Sequence, residues 1–220
     1  MKLNKYIDHT LLKPDATKKE IEILCKEAIE YDFATVCINP CFVSLASSIL
    51  KKTNIGITTV VGFPLGSNTI NTKVLELKEA LNNGASEIDF VINISAVKDK
   101  DWIYVLNEFK EIKNNANSNI VKVILETCLL TKEEIIKCCE LACEAKIDYV
   151  KTSTGFSKAG ATFENVKLMK DIVSSRALVK AAGGIRSFDD AIKMIENGAS
   201  RLGTSGGINI IKGETNNTSY

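Results

Sequence analysis

Short apolar strands alternate with amphipathic helices along almost the whole chain, and this alternation constrains the fold more than any other feature. Eight segments are predicted strands: 6–10, 35–39, 57–62, 88–93, 121–126, 149–153, 178–182 and 201–204. Helical patterns such as TKKEIEILCKEAIEYD, NTKVLELKEALNNG, TKEEIIKCCELACEA and SFDDAIKMIENG lie between them. One strand and one helix every 20 to 35 residues or so indicate repeated βα units.

Eight βα units close most naturally into a single-domain (β/α)8 barrel of the α/β class. We expect the barrel to span residues 1–212 and residues 213–220 to form a polar, mobile tail. The helix boundaries agree, since Thr17, Thr131 and Ser187 are predicted N-caps, and Gly84 and Gly198 suit helix C-termini. A doubly wound open sheet is the alternative, but no GxGxxG or P-loop motif follows any predicted strand.

Charge and cysteine content exclude several classes of function. The net charge is +1, which argues against nucleic acid or an anionic membrane as the main partner. The N-terminal stretch MKLNKYIDHTLLKP has no apolar signal region and no apolar segment is long enough to span a membrane, so a cytosolic protein is expected. Seven cysteines, an odd number, and a single histidine, His9, do not have the spacing of a zinc site. We therefore expect reduced cysteines and no metal.

Strand alternation places several charged side chains on one face of the predicted sheet. In EIDFVIN, Asp89 lies opposite the apolar Ile88 and Phe90. The same phase puts Lys122 and Glu126 of VKVILE, Lys151 of YVKTS and Lys180 of LVKAA on the face away from the apolar residues. By the same parity His9, in phase with Ile7, should point outward and carry no catalytic role. The apolar face can meet the helices, while the charged face points into the barrel.

Two of these lysines suggest covalent chemistry. Burying unpaired charge costs several kcal/mol, and two neighbouring ammonium groups repel each other, so Lys151 and Lys180 are both expected to have lowered pKa values. A neutral amine attacks a carbonyl to form a Schiff base. The competing interpretation, structural ion pairs inside the barrel, stays open for Lys122 and Glu126.

Glycines and hydroxyls after the last strands predict a phosphate site. AAGGIRS and RLGTSGG follow predicted strands seven and eight, where (β/α)8 barrels frequently bind phosphate. Glycine lets backbone N–H groups approach an oxyanion, while Thr154 and Ser205 can donate hydroxyl hydrogen bonds. The implied ligand is a phosphorylated carbonyl compound.

The motifs YIDHTLLKPDAT, VCINP, TVVGFPLG, EIDFVINISA, KVILET, YVKTSTGF, VKAAGGIRS and RLGTSGG resemble, in order, those of the deoxyribose-phosphate aldolase family. The resemblance runs from about Tyr6 to Ile211. It implies a metal-free, cofactor-free lyase that reversibly cleaves 2-deoxy-D-ribose 5-phosphate to acetaldehyde and D-glyceraldehyde 3-phosphate in deoxyribose phosphate catabolism. A dimer or tetramer of identical chains is a further expectation.

The resemblance also implies residue roles. Lys151 matches the Schiff-base lysine, Lys180 the second lysine that joins proton transfer, and Asp89 the proton donor or acceptor. Asp8 and Cys37 match positions that line the pocket. The phosphate-binding positions are matched by Thr154, Gly155, Gly183, Gly184, Ser205 and Gly206. Tyr220 resembles a C-terminal tyrosine that reaches the active site in some members.

Two other functions remain open at this point. One is a phosphate-binding isomerase or synthase on the same barrel that forms no imine, which borohydride trapping would distinguish. The other is a catalytically silent binding or scaffold protein, against which Lys151, Lys180 and Asp89 argue because all three are present on one face.

Overall fold

The computed structural model describes residues 2–214 of the chain. Within them, the strands are β1 Ile7–Leu11, β2 Thr35–Ile38, β3 Gly56–Val61, β4 Glu87–Val91, β5 Ile120–Ile124, β6 Tyr149–Lys151, β7 Leu178–Ala182 and β8 Arg201–Thr204. The helices are α1 Lys18–Glu30, α2 Val43–Leu50, α3 Ile70–Asn82, α4 Ile94–Lys98, α5 Trp102–Asn115, α6 Lys132–Glu144, α7 Phe163–Val173, α8 Phe188–Glu196 and α9 Gly207–Lys212.

The eight strands of the described residues pair in parallel and in sequence order, and β8 pairs with β1 to close the barrel. The predicted (β/α)8 fold is therefore confirmed, and the open sheet is excluded. Among residues 2–214, no helix is both long enough and apolar enough to cross a membrane. The predicted domain boundary at residue 212 stays a prediction, and most of the expected tail, including Tyr220, lies outside the described residues.

Local signals set the helix boundaries as expected. Thr17, Thr131 and Ser187 each cap a helix, and each forms a capping box with the acidic residue three positions later. Gly84 and Gly198 follow the C-caps of α3 and α8 with φ values of 107° and 106°, a conformation that favours glycine.

Strands β4, β5 and β6 end two residues earlier than predicted, because the chain turns at the barrel mouth. The Asn93 side chain accepts a hydrogen bond from the Ala96 backbone N–H at 3.0 Å and caps α4 instead of extending β4. Glu126 has a φ of 56°, and a short 3-10 turn, Thr127–Leu129, follows it. Apolar residues before these points favour extended structure, but the Asn93 cap and the positive φ of Glu126 end the strands first.

The two faces of the strands have the predicted polarity. Ile88 and Phe90 of β4 are fully buried between the sheet and the helices, and the Phe90 ring meets that of Phe109 on α5 edge to face at 5.8 Å. His9 also points outward, as predicted, where its Nε2 lies 2.8 Å from Glu27 Oε2 on α1. The opposite face of the strands carries charge into the barrel.

A buried ion pair in the helix layer fixes the loop after β3. Lys73 on α3 and Glu108 on α5 are both fully buried, and Lys73 Nζ donates to Glu108 Oε1 at 2.6 Å. The same ammonium donates to the backbone carbonyls of Gly66 and Val91, each at 2.7 Å. This pair therefore ties the loop after β3 to the C-terminal end of β4, two residues beyond Asp89.

Candidate active site

Two predicted lysines meet inside the barrel on the carboxylate of a third predicted residue, Asp89. Lys151 Nζ donates to Asp89 Oδ2 at 2.8 Å, and Lys180 Nζ donates to the same oxygen at 2.7 Å. Lys151 and Lys180 are Cα partners on the adjacent strands β6 and β7, and Asp89 lies across the barrel on β4. All three side chains are at least 97% buried. The shared alternation phase thus brings them together.

A third lysine, Lys122, donates a hydrogen bond to the other carboxylate oxygen of Asp89. Lys122 Nζ donates to Asp89 Oδ1 at 2.8 Å and lies 2.5 Å from Glu87 Oε2. Burial raises the pKa of Asp89, but Lys122, Lys151 and Lys180 outweigh it and hold the pKa well below its usual range. Asp89 is therefore ionised at neutral pH.

At the N-terminal end of the barrel, Arg201 joins two further carboxylates. Its guanidinium contacts Asp8 through Nε, at 2.9 Å, and through Nη2, while Nη1 donates to Glu87 at 3.2 Å. Asp8 Oδ2 in turn lies 2.5 Å from Lys180 Nζ. Asp8 is fully buried, so its carboxylate binds Lys180 and Arg201 at the base of the site.

These contacts close into a ring in which acids and bases alternate. The ring, called the charge ring below, consists of Asp89, Lys180, Asp8, Arg201, Glu87 and Lys122. Lys151 is not a member, because it joins the ring only through Asp89. Asp89 therefore holds Lys151 beside a network whose own charges already compensate one another.

The pKa values of the two catalytic lysine candidates are shifted in opposite directions. Burial and the positive charge of Lys180 lower the pKa of Lys151, and Asp89 only partly opposes them. Burial also lowers the pKa of Lys180, but Asp8 and Asp89 outweigh burial and raise it above the ordinary value. The sequence-based expectation that both pKa values fall is thus wrong for Lys180, because it counted lysine repulsion without the Asp8 carboxylate.

Cys37 of β2 lies above this network as an apolar neighbour. It is fully buried and packs with Leu12, Val60 and Phe63. Burial raises the pKa of its thiol, which keeps it protonated. The Phe63 ring also meets Phe156 edge to face at 5.4 Å, so the loops after β3 and β6 touch. This geometry suits the wall of a pocket, the role predicted for Cys37.

The predicted phosphate residues follow β6, β7 and β8. Gly155, Gly183 and Gly184 have φ values of 89°, 83° and 80°. A Cβ on Gly183 would lie 3.7 Å from Gly155 Cα, so these two loops are in contact. Ala182 and Gly203 are Cα partners, which places Ser205 and Gly206 just beyond the neighbouring strand end.

Two of these polar groups already have partners within the chain. The Thr154 hydroxyl donates to the Glu126 carboxylate, and the Gly206 backbone N–H donates to Thr204 Oγ1 at 3.0 Å. Burial raises the pKa of Glu126, which is hydrogen-bonded to Thr154 and forms no ion pair with Lys122. The structural ion-pair interpretation therefore fits Lys122 and not Glu126.

Comparison with known proteins identifies the family. The profile described as DeoC/LacD family aldolase matches residues 2–213. The chain belongs to this family. It is 65% identical to deoxyribose-phosphate aldolase 1 of Mesoplasma florum over 220 residues, which cover 100% of both chains. It is 60% identical to the deoxyribose-phosphate aldolase of Mycoplasma capricolum, covering 100% of this chain and 99% of that one.

The fold agrees with a solved member of the family. The tetrameric deoxyribose phosphate aldolase from Aeropyrum pernix superposes with a TM-score of 0.90 at 32% identity, covering 96% of this chain and 89% of that one. Aldolase chemistry is thus established at the level of the family, in agreement with the resemblance seen in the motifs. The roles of individual residues rest on the geometry described above.

Arg201 and Glu87 are the site residues that sequence reasoning missed. The signal was present, because Glu87 has the same strand parity as Asp89, and Arg201 begins the strand RLGT. Both stand at the N-terminal ends of their strands, away from the loops in which the phosphate site was predicted. In residues 2–214, no group of three or more His, Cys, Asp and Glu side chains could hold a metal ion.

Proposed function

We propose that this aldolase reversibly cleaves 2-deoxy-D-ribose 5-phosphate to acetaldehyde and D-glyceraldehyde 3-phosphate through an imine on Lys151. Relatives that are 52–65% identical carry the name deoxyribose-phosphate aldolase, which supports the substrate. The observation that carries the mechanism is the pair of lysines on Asp89 Oδ2, of which only Lys151 has a lowered pKa.

The first step is attack of the neutral Lys151 amine on the C1 aldehyde of the open-chain sugar. The resulting carbinolamine loses water, and Lys180, whose raised pKa keeps it protonated, is the proposed donor of the proton that the departing hydroxyl needs. The iminium nitrogen that forms carries a positive charge where the neutral amine had none. Asp89, 2.8 Å from that nitrogen and already ionised, stabilises this new charge.

Cleavage then uses the iminium as an electron sink. Loss of the proton from the C3 hydroxyl turns C3 into the aldehyde of glyceraldehyde 3-phosphate, and the electrons of the C2–C3 bond form an enamine on Lys151. The enamine takes up a proton at C2, and water hydrolyses the imine to release acetaldehyde. Asp89 and Lys180, joined by a 2.7 Å hydrogen bond, are the proposed groups for these proton transfers, directly or through water.

The phosphate of the substrate is proposed to bind the loops after β6, β7 and β8. The positive φ values of Gly155, Gly183 and Gly184 open the backbone there, and the Ser205 hydroxyl is a candidate donor. We also propose a cytosolic location and assembly into a dimer or tetramer without nucleic acid. The tetrameric relative from Aeropyrum pernix supports the assembly, which sedimentation analysis of the purified chain would test.

The deciding experiment measures glyceraldehyde 3-phosphate release from 2-deoxy-D-ribose 5-phosphate with a coupled dehydrogenase. Addition of acetaldehyde and borohydride should leave a reduced two-carbon adduct on Lys151, which peptide mass spectrometry locates. Product release without an adduct would point to chemistry that forms no imine. An adduct on another lysine would refute the assignment of Lys151.

A further inference from the structure

The charge ring is closed and balanced, and this balance bears on the reactivity of Lys151. Three carboxylates alternate with three cationic groups, so the ring is neutral when every member is ionised. Lys151, bound to Asp89 at 2.8 Å, is a fourth base beside three acids. A buried network of this kind stays neutral only if the additional base gives up its proton.

We propose that Arg201 and Glu87 are positioning residues that complete the charge ring and thereby keep Lys151 unprotonated and nucleophilic. Neither residue lies at the substrate end of the barrel, because Arg201 and Glu87 are the first residues of β8 and β4. Arg201 compensates the charge of Asp8, which leaves Asp89 and Glu87 balanced by Lys180 and Lys122. This inference rests on the proposed function, since it concerns the amine that forms the imine.

The other titratable groups near Lys151 do not compensate its charge in place of the charge ring. Cys37 faces it from β2 as a protonated thiol. Tyr149 precedes Lys151 by two residues on β6, and burial raises the pKa of its phenol, which keeps the phenol neutral. Glu126 lies near Lys151 at the end of β5, but it forms no ion pair with Lys151, and its carboxylate accepts from the hydroxyl and the backbone N–H of Thr154 instead. Thr58 of β3, which lies beside Glu87 and Lys122, carries no charge.

The two positioning residues predict pH shifts of opposite sign. In Arg201→Met, three acids face three lysines, so Lys151 keeps its proton to higher pH than in the wild type. The rising limb of the pH–rate profile for Lys151 trapping therefore moves to higher pH. Lys151, Lys180 and Arg201 are successive Cα partners across three strands, about 10 Å from first to last. At an effective dielectric constant of about 20, that separation corresponds to a shift of about one pH unit. In Glu87→Gln, two acids face four bases, and the limb moves to lower pH.

The experiment is the pH dependence of Lys151 reductive trapping with acetaldehyde and cyanoborohydride, measured as an initial rate by mass spectrometry. Arg201→Lys keeps the charge but not the fork of hydrogen bonds, so its midpoint should stay close to wild type. Arg176→Met removes an exposed arginine outside the barrel, and its midpoint should not move because solvent screens that charge. Circular dichroism shows which variants fold.

Opposite shifts in Arg201→Met and Glu87→Gln support the proposal. Unchanged midpoints in both folded variants, shifts of the same sign, or an Arg201→Lys shift as large as that of Arg201→Met would overturn it. If Arg201→Met does not fold, the sign of the Glu87→Gln shift decides alone. Failure of the proposed function looks different, because wild-type Lys151 would then not be labelled at any pH.

Discussion

Replacement of Lys180 by leucine removes the cation that lies beside the Schiff-base amine. Lys151 Nζ and Lys180 Nζ are 2.8 and 2.7 Å from the same Asp89 oxygen, so the two nitrogens are at most about 5.5 Å apart. At an effective dielectric constant of about 20, their repulsion is about 3 kcal/mol. That energy corresponds to about 2 pKa units, so the pKa of Lys151 should rise by this amount in Lys180→Leu.

The sign of the kinetic effect follows from the reactive form. Only the neutral Lys151 amine forms an imine, so a raised pKa moves the rising limb of the trapping rate to higher pH by about 2 units. Cleavage of the sugar should also fall, because Lys180 is a proposed proton donor. Lys180→Arg retains the positive charge and is the matched control. The rising limb of its pH–rate profile should lie near that of the wild type. A folded Lys180→Leu variant with an unshifted limb would refute the charge-coupling argument.

Four further outcomes are expected. Lys151→Ala should lose both cleavage and borohydride labelling, and measurable turnover would contradict its role. Ser205→Ala should lower kcat/KM for the phosphorylated sugar about 10- to 150-fold, mainly through KM, since one hydrogen bond to a charged group contributes about 1.5 to 3 kcal/mol. Unphosphorylated deoxyribose should be hardly affected, and an equal loss on both substrates would place the phosphate elsewhere. Exhaustive EDTA should leave activity unchanged because Asp8, Glu87 and Asp89 already bind cationic side chains, whereas loss that added metal restores would refute this. Lys73→Met should reduce the free energy of unfolding in urea by about 3 to 5 kcal/mol, because Glu108 would be left buried without its partner, and an unchanged midpoint would contradict this.

The fold could be predicted from local signals because each one has a short-range physical cause. The threonine and serine N-caps, with acidic residues three positions later, mark where helices begin, and strand alternation marks which face is buried. Lys73 shows the limit of such signals. On an amphipathic helix a lysine is normally exposed, yet this one is fully buried because Glu108 and two backbone carbonyls accept from it. Those partners come from other segments, and no local pattern in α3 indicates them.

The candidate site likewise has one part that the sequence predicts and one part that it does not. Parity alone was enough to place Asp89, Lys151 and Lys180 together, because residues in the same phase on parallel strands point into one barrel. Their protonation states could not be derived by parity, since these depend on which acid lies near which base. Asp8 contacts Lys180 from the other end of the sequence, and that contact reverses the expected direction of the Lys180 pKa.

A Schiff-base aldolase needs one amine that is neutral and a second group that can deliver a proton nearby. Two lysines on one carboxylate oxygen could not differ in this way by burial alone, because both are almost completely buried. The difference comes from the second carboxylate: Lys180 contacts Asp8 as well as Asp89, whereas Lys151 contacts only Asp89. Asp8 can raise the pKa of Lys180 only while the Asp8 carboxyl is ionised. Arg201 is the other cationic partner of Asp8. The division of roles between the two lysines inside the barrel therefore depends on charges placed at its N-terminal end.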